Sequence, residues 1–441
     1  MKSNLPLSML PVILTGLVMG SCLGNGKEDS QNNRPNIIIL LADDQGYGDV
    51  SYHKIHPHEV STPGIDQLAS EGVIFTNGYA SAYVCAPTRA GLLTGRYQQR
   101  FGFYTAGDSR EGMPLDEITL ADILKDNGYT TGIFGKWHLG LEAPFRPLNR
   151  GFDNFYGFLG HGAHDYFELD CDPGDLHNCI YRDSVIIHDT GYLTDNLARE
   201  AIGFIEENSS GNPFFLYLAF NAVHWPLQAP EVDIAKFSNE NPDRNVYLAM
   251  LHRMDIAVDN VINSLKENGL YENSLIFYLS DNGGAKKVSA DNIPLRDFKQ
   301  STYEGGIRVP FVVSWPQYFE HRKIDEPVIS LDIMPTICDV LNIEPTEERL
   351  IDGKSMLPLL EERQDGPLHE YLYWDGDQDR WAVRNGKWKL VKNNRGDIEL
   401  YDLDNDISEG LNLAEQYPDI YDNLQLKYNE WRSEMGDPMG K

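Results

Sequence analysis

The sequence predicts an α/β fold: a large mixed, mainly parallel sheet sandwiched by helices, then a small C-terminal antiparallel sheet with a helix. Three observations carry this reading. Four continuous apolar runs each end in polar residues of unusual character. Amphipathic segments with helical spacing separate them. Beyond residue 345 the pattern changes to short, aromatic, alternating stretches broken by Gly, Asn or Asp. Long unbroken apolar runs belong to strands covered on both faces. Their alternation with helices calls for helical layers on both sides of the sheet.

The chain of 441 residues opens with an address. Lys2 precedes "LPLSMLPVILTGLVMG", which is shorter than a membrane span and holds two prolines. "MGSC" sets a small-residue pair before Cys22 and resembles a bacterial lipoprotein signal. Residues 1–22 are therefore expected to be a signal peptide, with Cys22 the lipidated residue. Residues 23–34 read as a polar tether, whose "KED" resembles the surface-export signal of Bacteroidetes lipoproteins. The expected location is the periplasm or the cell surface, on an outer-membrane lipid anchor. An ordinary cleaved secretory peptide is the alternative.

The larger domain is expected over residues 35–345. Its strands are the apolar parts of "NIIILLADDQGYGD", "YTTGIFGKWHLG", "PFFLYLAFNAVHWP" and "NSLIFYLSDNGG". Its helices include "TPGIDQLASEG", "TLADILKDNG", "TDNLAREAIGFIEEN" and "VYLAMLHRMDIAVDNVINSLKENG". In "YVCAPTRAGLLTGRY", Pro87 suits the first turn of a helix, which puts Cys85 at a helix N-terminus, where unpaired N–H groups attract anions. The smaller domain, 346–441, takes "YLYWDG", "RWAVRNG", "KWKLVKN" and "IELYDL" as strands and residues 415–434 as a closing helix.

Composition narrows the function. The 67 acidic residues outnumber 37 Lys and Arg, a formal charge of −30, which excludes a nucleic-acid binder with its basic face. It leaves room for a small anionic substrate, because surface fields fade beyond about 8 Å and a local cation cluster can dominate a pocket. Of the five cysteines, Cys171 and Cys179 flank the turn-rich "DPGDLHN" and read as a disulfide in an exported protein. Cys338 fits a buried, inert helix position. Cys85 is left unpaired.

In open α/β sheets ligands bind beyond the carboxyl ends of the strands, and the unusual polar residues all lie there. Asp43, Asp44, Asp281 and Asn282 offer hard oxygen donors, which suit Ca²⁺ or Mg²⁺ better than Zn²⁺. Lys136, His138 and His224 follow or approach the same edge, whereas Lys299 in "LRDFKQSTYEGG" reads by itself as a surface lysine. The histidines of "YHKIHPHE" match no standard zinc spacing and read as a loop. "GFLGHGAHDYFELD" is rich in Gly and His, as a loop near a polar ligand would be, so His161, His164 and Asp165 are candidate substrate contacts.

Cys85-Ala-Pro-Thr-Arg89 with "AGLLTGR" resembles the signature of the formylglycine-dependent sulfatases, in its cysteine form with threonine for the more usual serine. "NIIILLADDQGYGD", "TGIFGKWHLG", "NPFFLYLAFNAVHWP", "LSDNGG" and "TYEGGIRVPF" resemble the same family in the same order, from about Pro35 to beyond Trp388. The resemblance implies an alkaline phosphatase-like fold and Ca²⁺ held by Asp43, Asp44, Asp281, Asn282 and the side chain at 85. It also implies that a maturation enzyme oxidises Cys85 to formylglycine (3-oxoalanine). Arg89, Lys136, His138, His224 and Lys299 match the basic residues around that side chain. One departure is that Arg296, Asp297 and Phe298 precede Lys299, where relatives have a glycine-rich approach.

The implied chemistry explains the thiol. The hydrated aldehyde is a diol: one hydroxyl takes the sulfuryl group, and deprotonation of the other expels sulfate without a second displacement. His138 is the candidate base, His224 (with Lys299) the candidate proton donor, and the cations spread the transferring charge. The expected substrate is a sulfated glycan of glycosaminoglycan, mucin or algal galactan type. The alternatives are a phosphonate or phosphodiester hydrolase of the same superfamily and a non-catalytic glycan-binding lipoprotein.

Overall fold

The structure is a computed structural model describing residue 1 and residues 34–160, 164–171, 176–345, 349–364, 366–376 and 380–439. The signal peptide beyond Met1, Cys22, the tether up to residue 33 and His161 lie outside the described residues. Among the described residues, no helix is long and apolar enough to cross a membrane.

The large sheet has ten strands. Their order is Arg322–Ile324, Val73–Phe75, Phe311–Ser314, Ser274–Ser280, Asn36–Ala42, Phe214–Ala219, Thr130–Lys136, Asn154–Phe158, Tyr181–Arg182 and Val185–Ile186. The five from Ser274–Ser280 to Asn154–Phe158 pair in parallel, and antiparallel pairings appear on either side of them. Asn36–Ala42 is central because apolar side chains leave both its faces. Ile38 and Leu40 join a core with Ile65, Leu197 and Met250 from helices Pro63–Glu71, Leu193–Asn208 and Pro242–Glu267. Ile37, Ile39 and Leu41 join a second core with Leu92, Leu124 and Ile337 from helices Cys85–Thr94, Leu120–Asp126 and Ile333–Leu341.

Local sequence sets the helix ends. Thr119 and Asp122 form a capping box at Leu120–Asp126. Pro242 opens the longest described helix, with Asn241 accepting from the Asp243 amide at 3.1 Å. Gly95, at φ 64°, ends Cys85–Thr94 by returning its N–H to Gly91.

Register then aligns the chemistry. Ala42 lies opposite Ser280, so Asp43 and Asp281 leave neighbouring strands at one level. Leu41 and Gly135 both lie opposite Ala219, which brings Lys136 and the residues after Ala219 to the same edge.

Apolar packing with the large sheet continues through Met356, Leu359, Leu360 and Leu368. Leu372–Asp375, Trp381–Asn385, Trp388–Lys392 and Ile398–Asp402 form an antiparallel sheet in sequential order, whose buried residues share a third core with Tyr79, Tyr97, Ile307 and Leu331. Helix Pro418–Arg432 covers it, Tyr428 stacking on Trp381 with ring centroids 4.0 Å apart. Cys171 and Cys179 are joined by a disulfide, their Cα atoms 4.8 Å apart. Cys338 is buried, and burial pushes its thiol up to about 12.

Candidate active site

Cys85 is the first residue of its helix and almost fully buried, preceded by the extended Val84. Its Sγ lies 3.4 Å from His138 Nδ1. Arg89, one turn on, is fully buried. Its Nε and Nη2 reach Asp281 Oδ2 at 2.9 and 2.7 Å, and Nη1 donates to the Lys136 carbonyl at 2.9 Å. Lys136 Nζ donates to Asp43 Oδ2 at 2.5 Å, and Lys299 Nζ to Asp44 Oδ1 at 2.5 Å. His224 Nε2 is 3.6 Å from Asp44 Oδ2. Residues up to 255 positions apart thus share one cluster.

The charges on this edge depend on one another. Burial would raise the Asp43 carboxyl, but Lys136, His224, Arg89 and Lys299 together hold it far below the usual range. Asp281 is pushed up to about 6 by burial and by the charge of Asp43 beside it. Burial lowers His224 against the pull of Asp44 and Asp43. For Lys299 burial opposes the charge, and Asp44 above all overcomes it, raising the ammonium well beyond its ordinary value.

These residues fit a hard cation. Asp43, Cys85 and Asp281 present ligand atoms within 4.8 Å of one another, as do Asp43, Asp44 and His224. Asp43 Oδ1 and Asn282 Oδ1 are buried with no hydrogen-bond partner, an arrangement that costs free energy unless something accepts their lone pairs. Carboxylate and amide oxygens without a cysteine pair or histidine set suit Ca²⁺ or Mg²⁺.

Backbone strain gathers here. Asp44 (φ 64°) and His138 (φ 62°) are left-handed non-glycine residues, as are Asp297 (φ 70°) and Gln300 (φ 71°) around Lys299. Such conformations cost about 1–3 kcal/mol each and persist where packing over-determines them. The Lys299 loop therefore adopts glycine-like geometry without glycine. Its backbone is pinned by Lys299 N–H to Gly284 O and Gln300 N–H to Tyr83 O, both 3.0 Å. Gly283 packs so closely that a Cβ there would meet Gly305 O at 1.9 Å.

Two of the three candidate substrate contacts, His164 and Asp165, are among the described residues. His164 is buried with its ring nitrogens 2.6 and 2.8 Å from the carbonyls of Asp165 and Asn178. Asp165 accepts from the amides of Phe167 and Glu168 and from Gln228 Nε2. Sequence reasoning passed over Ser280, which binds the Gln45 amide and the Asn282 carbonyl and so ties the two acidic loops together. It also passed over Asn221, fully buried with neither side-chain polar atom bonded. Position next to "SDNGG" and "AVHWP" is the only signal either residue carries.

A doubly covered sheet whose carboxyl edge gathers buried acids and cations around one helix N-terminus defines the class: a hydrolase of anionic esters, alkaline phosphatase-like in fold. Within that class the chain belongs to the sulfatase family, whose model matches residues 35–343, and it is a sulfuric ester hydrolase. A second model, N-sulphoglucosamine sulphohydrolase C-terminal, matches residues 297–434. The uncharacterized sulfatase YdeN of Escherichia coli (strain K12) is 31% identical over 408 residues, covering 80% of this chain and 71% of that one. The N-acetylgalactosamine-6-sulfatase of Homo sapiens is 33% identical over 368 residues, covering 78% and 69%. The crystal structure of Ps i-CgsB in complex with k-i-k-neocarrahexaose matches with a TM-score of 0.87 and 34% identity, covering 92% of this chain and 94% of that one.

Proposed function

We propose that this sulfatase removes sulfate from a sulfated carbohydrate, using formylglycine at position 85 and Ca²⁺ held by Asp43, Asp44, Asp281, Asn282 and the side chain at 85. The observation that carries the reading is the 3.4 Å approach of Cys85 Sγ to His138 Nδ1 beside two buried acids and Arg89. Relatives act on, or are crystallised with, sulfated sugars by their names, which supports a glycan substrate. When present, the aldehyde hydrate supplies the nucleophilic oxygen, and the ion supplies positive charge for the developing anion.

The chain's own residues do the rest. Lys136 and Lys299 bring positive charge to the transferring group inside a site where water is scarce, so each counts for more than in bulk. Arg89, clamped between Asp281 and the Lys136 carbonyl, adds charge behind position 85 and fixes the helix start relative to the sheet. His138 Nδ1 is placed to take a proton from the side chain at 85. His224 Nδ1 sits 2.7 Å from the Trp225 carbonyl and keeps its hydrogen there, so Nε2 gives a proton to the leaving sugar oxygen only when the ring is doubly protonated, a state that Asp44 and Asp43 favour against burial. Export as a lipoprotein through Cys22, and maturation by a formylglycine-generating enzyme, belong to the same proposal.

The test is made at Cys85. A peptide spanning it from active protein should show the mass of an aldehyde and react with hydrazides. Cys85→Ala should stay folded and lose turnover at least about 10³-fold, since no nucleophile remains. Hydrolysis of an aryl sulfate well above that of an aryl phosphodiester is expected. Sustained turnover by Cys85→Ala, or preference for the phosphodiester, would overturn the assignment.

A further inference from the structure

We propose that Lys286, Lys287 and Trp225 form a second anion platform at the mouth of the site, selecting glycans that carry another negative group beside the sulfate to be cleaved. This rests on the reading of the site as that of a carbohydrate sulfatase.

A cavity of about 540 Å³ has Asp44, His224 and Lys299 on its buried wall and Trp225, Lys286 and Lys287 on its exposed one. That volume is in the range of ligand pockets and exceeds what a lone sulfate group needs. The two lysines stand on a short turn, Lys286–Val288, five residues after Asp281. The turn is held from beneath: Val288 is buried, Ser289 N–H returns to the Lys286 carbonyl at 3.1 Å, and Arg244 Nη1 binds the Ser289 carbonyl at 3.0 Å. Its backbone is anchored while both ammonium groups reach solvent.

Among the described residues no carboxylate lies within 4.0 Å of either Lys286 or Lys287, in a chain with 67 acidic residues. Adjacent like charges repel, and an anion placed between them relieves that cost. Lys287 Nζ instead lies 3.8 Å from the centroid of the Trp225 ring, a cation–π contact that holds it toward the cavity. Trp225 is 41% exposed and presents an apolar ring of the kind that a sugar face covers. A solvated surface turn accounts for two exposed lysines. It does not account for their meeting an exposed tryptophan on the cavity that contains Lys299.

The experiment uses the full chain and two glycosaminoglycan-derived disaccharides identical but for a second sulfate. Binding is followed by calorimetry and sulfate release on the same samples, for wild type and the Lys286→Gln/Lys287→Gln double variant. Wild type should prefer the disulfated probe, and the double variant should lose about 2- to 30-fold in its affinity, as two partly exposed charge contacts predict. Its binding of the monosulfated probe should change less than about twofold, and the preference should shrink as salt is raised. Equal affinity of wild type for both probes, or equal losses on both, would overturn the platform. Selective loss of binding with no sulfate released from either probe would leave the platform standing and count against the carbohydrate-sulfatase reading of the site; release without selectivity would do the reverse.

Discussion

Lys389 is fully buried in the strand Trp388–Lys392, and its Nζ lies 2.7 Å from Glu304 Oε1 and 2.9 Å from Glu409 Oε1. Glu304 begins the short helix that follows the Lys299 loop, so this charge ties the small sheet to the loop that carries Lys299. In Lys389→Met two buried carboxylates face each other without it, although Arg308 still reaches Glu304 at 3.2 Å. Removing one partner from a buried network costs about 3–5 kcal/mol. With about 2.1 cal/mol/K of unfolding entropy per residue over about 400 residues, that corresponds to a fall in Tm of about 4–6 °C, and more where the small sheet unfolds separately.

The pH dependence has a definite sign. Burial pushes Glu409 up to about 7, despite Lys389, while Glu304 is held down to about 2 because Lys389 and Arg308 outweigh its burial. A carboxyl raised in the folded state favours folding at low pH and loses that contribution as pH rises through its folded value, here between about 4.5 and 7. Without Lys389 the window extends further upward, so the deficit should be larger at pH 8 than at pH 6. Thermal melts at a fixed scan rate, at both pH values, provide the assay, with Lys389→Met/Glu409→Gln expected to recover part of the loss. A deficit under about 1 °C at pH 8, or one equal at both pH values, would refute the reasoning.

Chelation should abolish turnover and lower Tm, with Ca²⁺ restoring both better than Mg²⁺; full activity in metal-free protein would exclude the acidic set as a cation site. Asp43→Ala and Asp281→Ala should lose turnover even with excess Ca²⁺, read by sulfate release. Cys171→Ser/Cys179→Ser opens a loop of separation 8, which the chain-entropy model values at about 2–3 kcal/mol, or about 3 °C in Tm. Alanine at His164 and Asp165 should lower Tm and leave KM within about twofold, because their bonds go to neighbouring backbone and Gln228; a selective rise in KM would place that segment against the sugar.

Much of this molecule was readable before any coordinates. Apolar runs covered on both faces defined the central strands, and the residues ending them had to meet at one edge because parallel strands share their polarity. Thr119, Asn241 and Gly95 mark helix ends by local chemistry that needs no distant partner. The spacing of Cys85 and Arg89 follows from one helical turn. Register and side-chain direction were another matter. Whether Arg89 grips Asp281 or Asp43 depends on pairing Ala42 with Ser280 across 238 positions, and a one-residue slip would turn every such side chain to the other face. The left-handed Asp44, His138, Asp297 and Gln300 carry no local glycine signal, because tertiary packing imposes those conformations on ordinary residues. Nor does a sequence of alternating aromatics disclose that Lys389 is fully buried between two glutamates, or that Lys287 meets Trp225 at 3.8 Å. Contacts between residues far apart in the chain exist only once the whole fold has chosen its register.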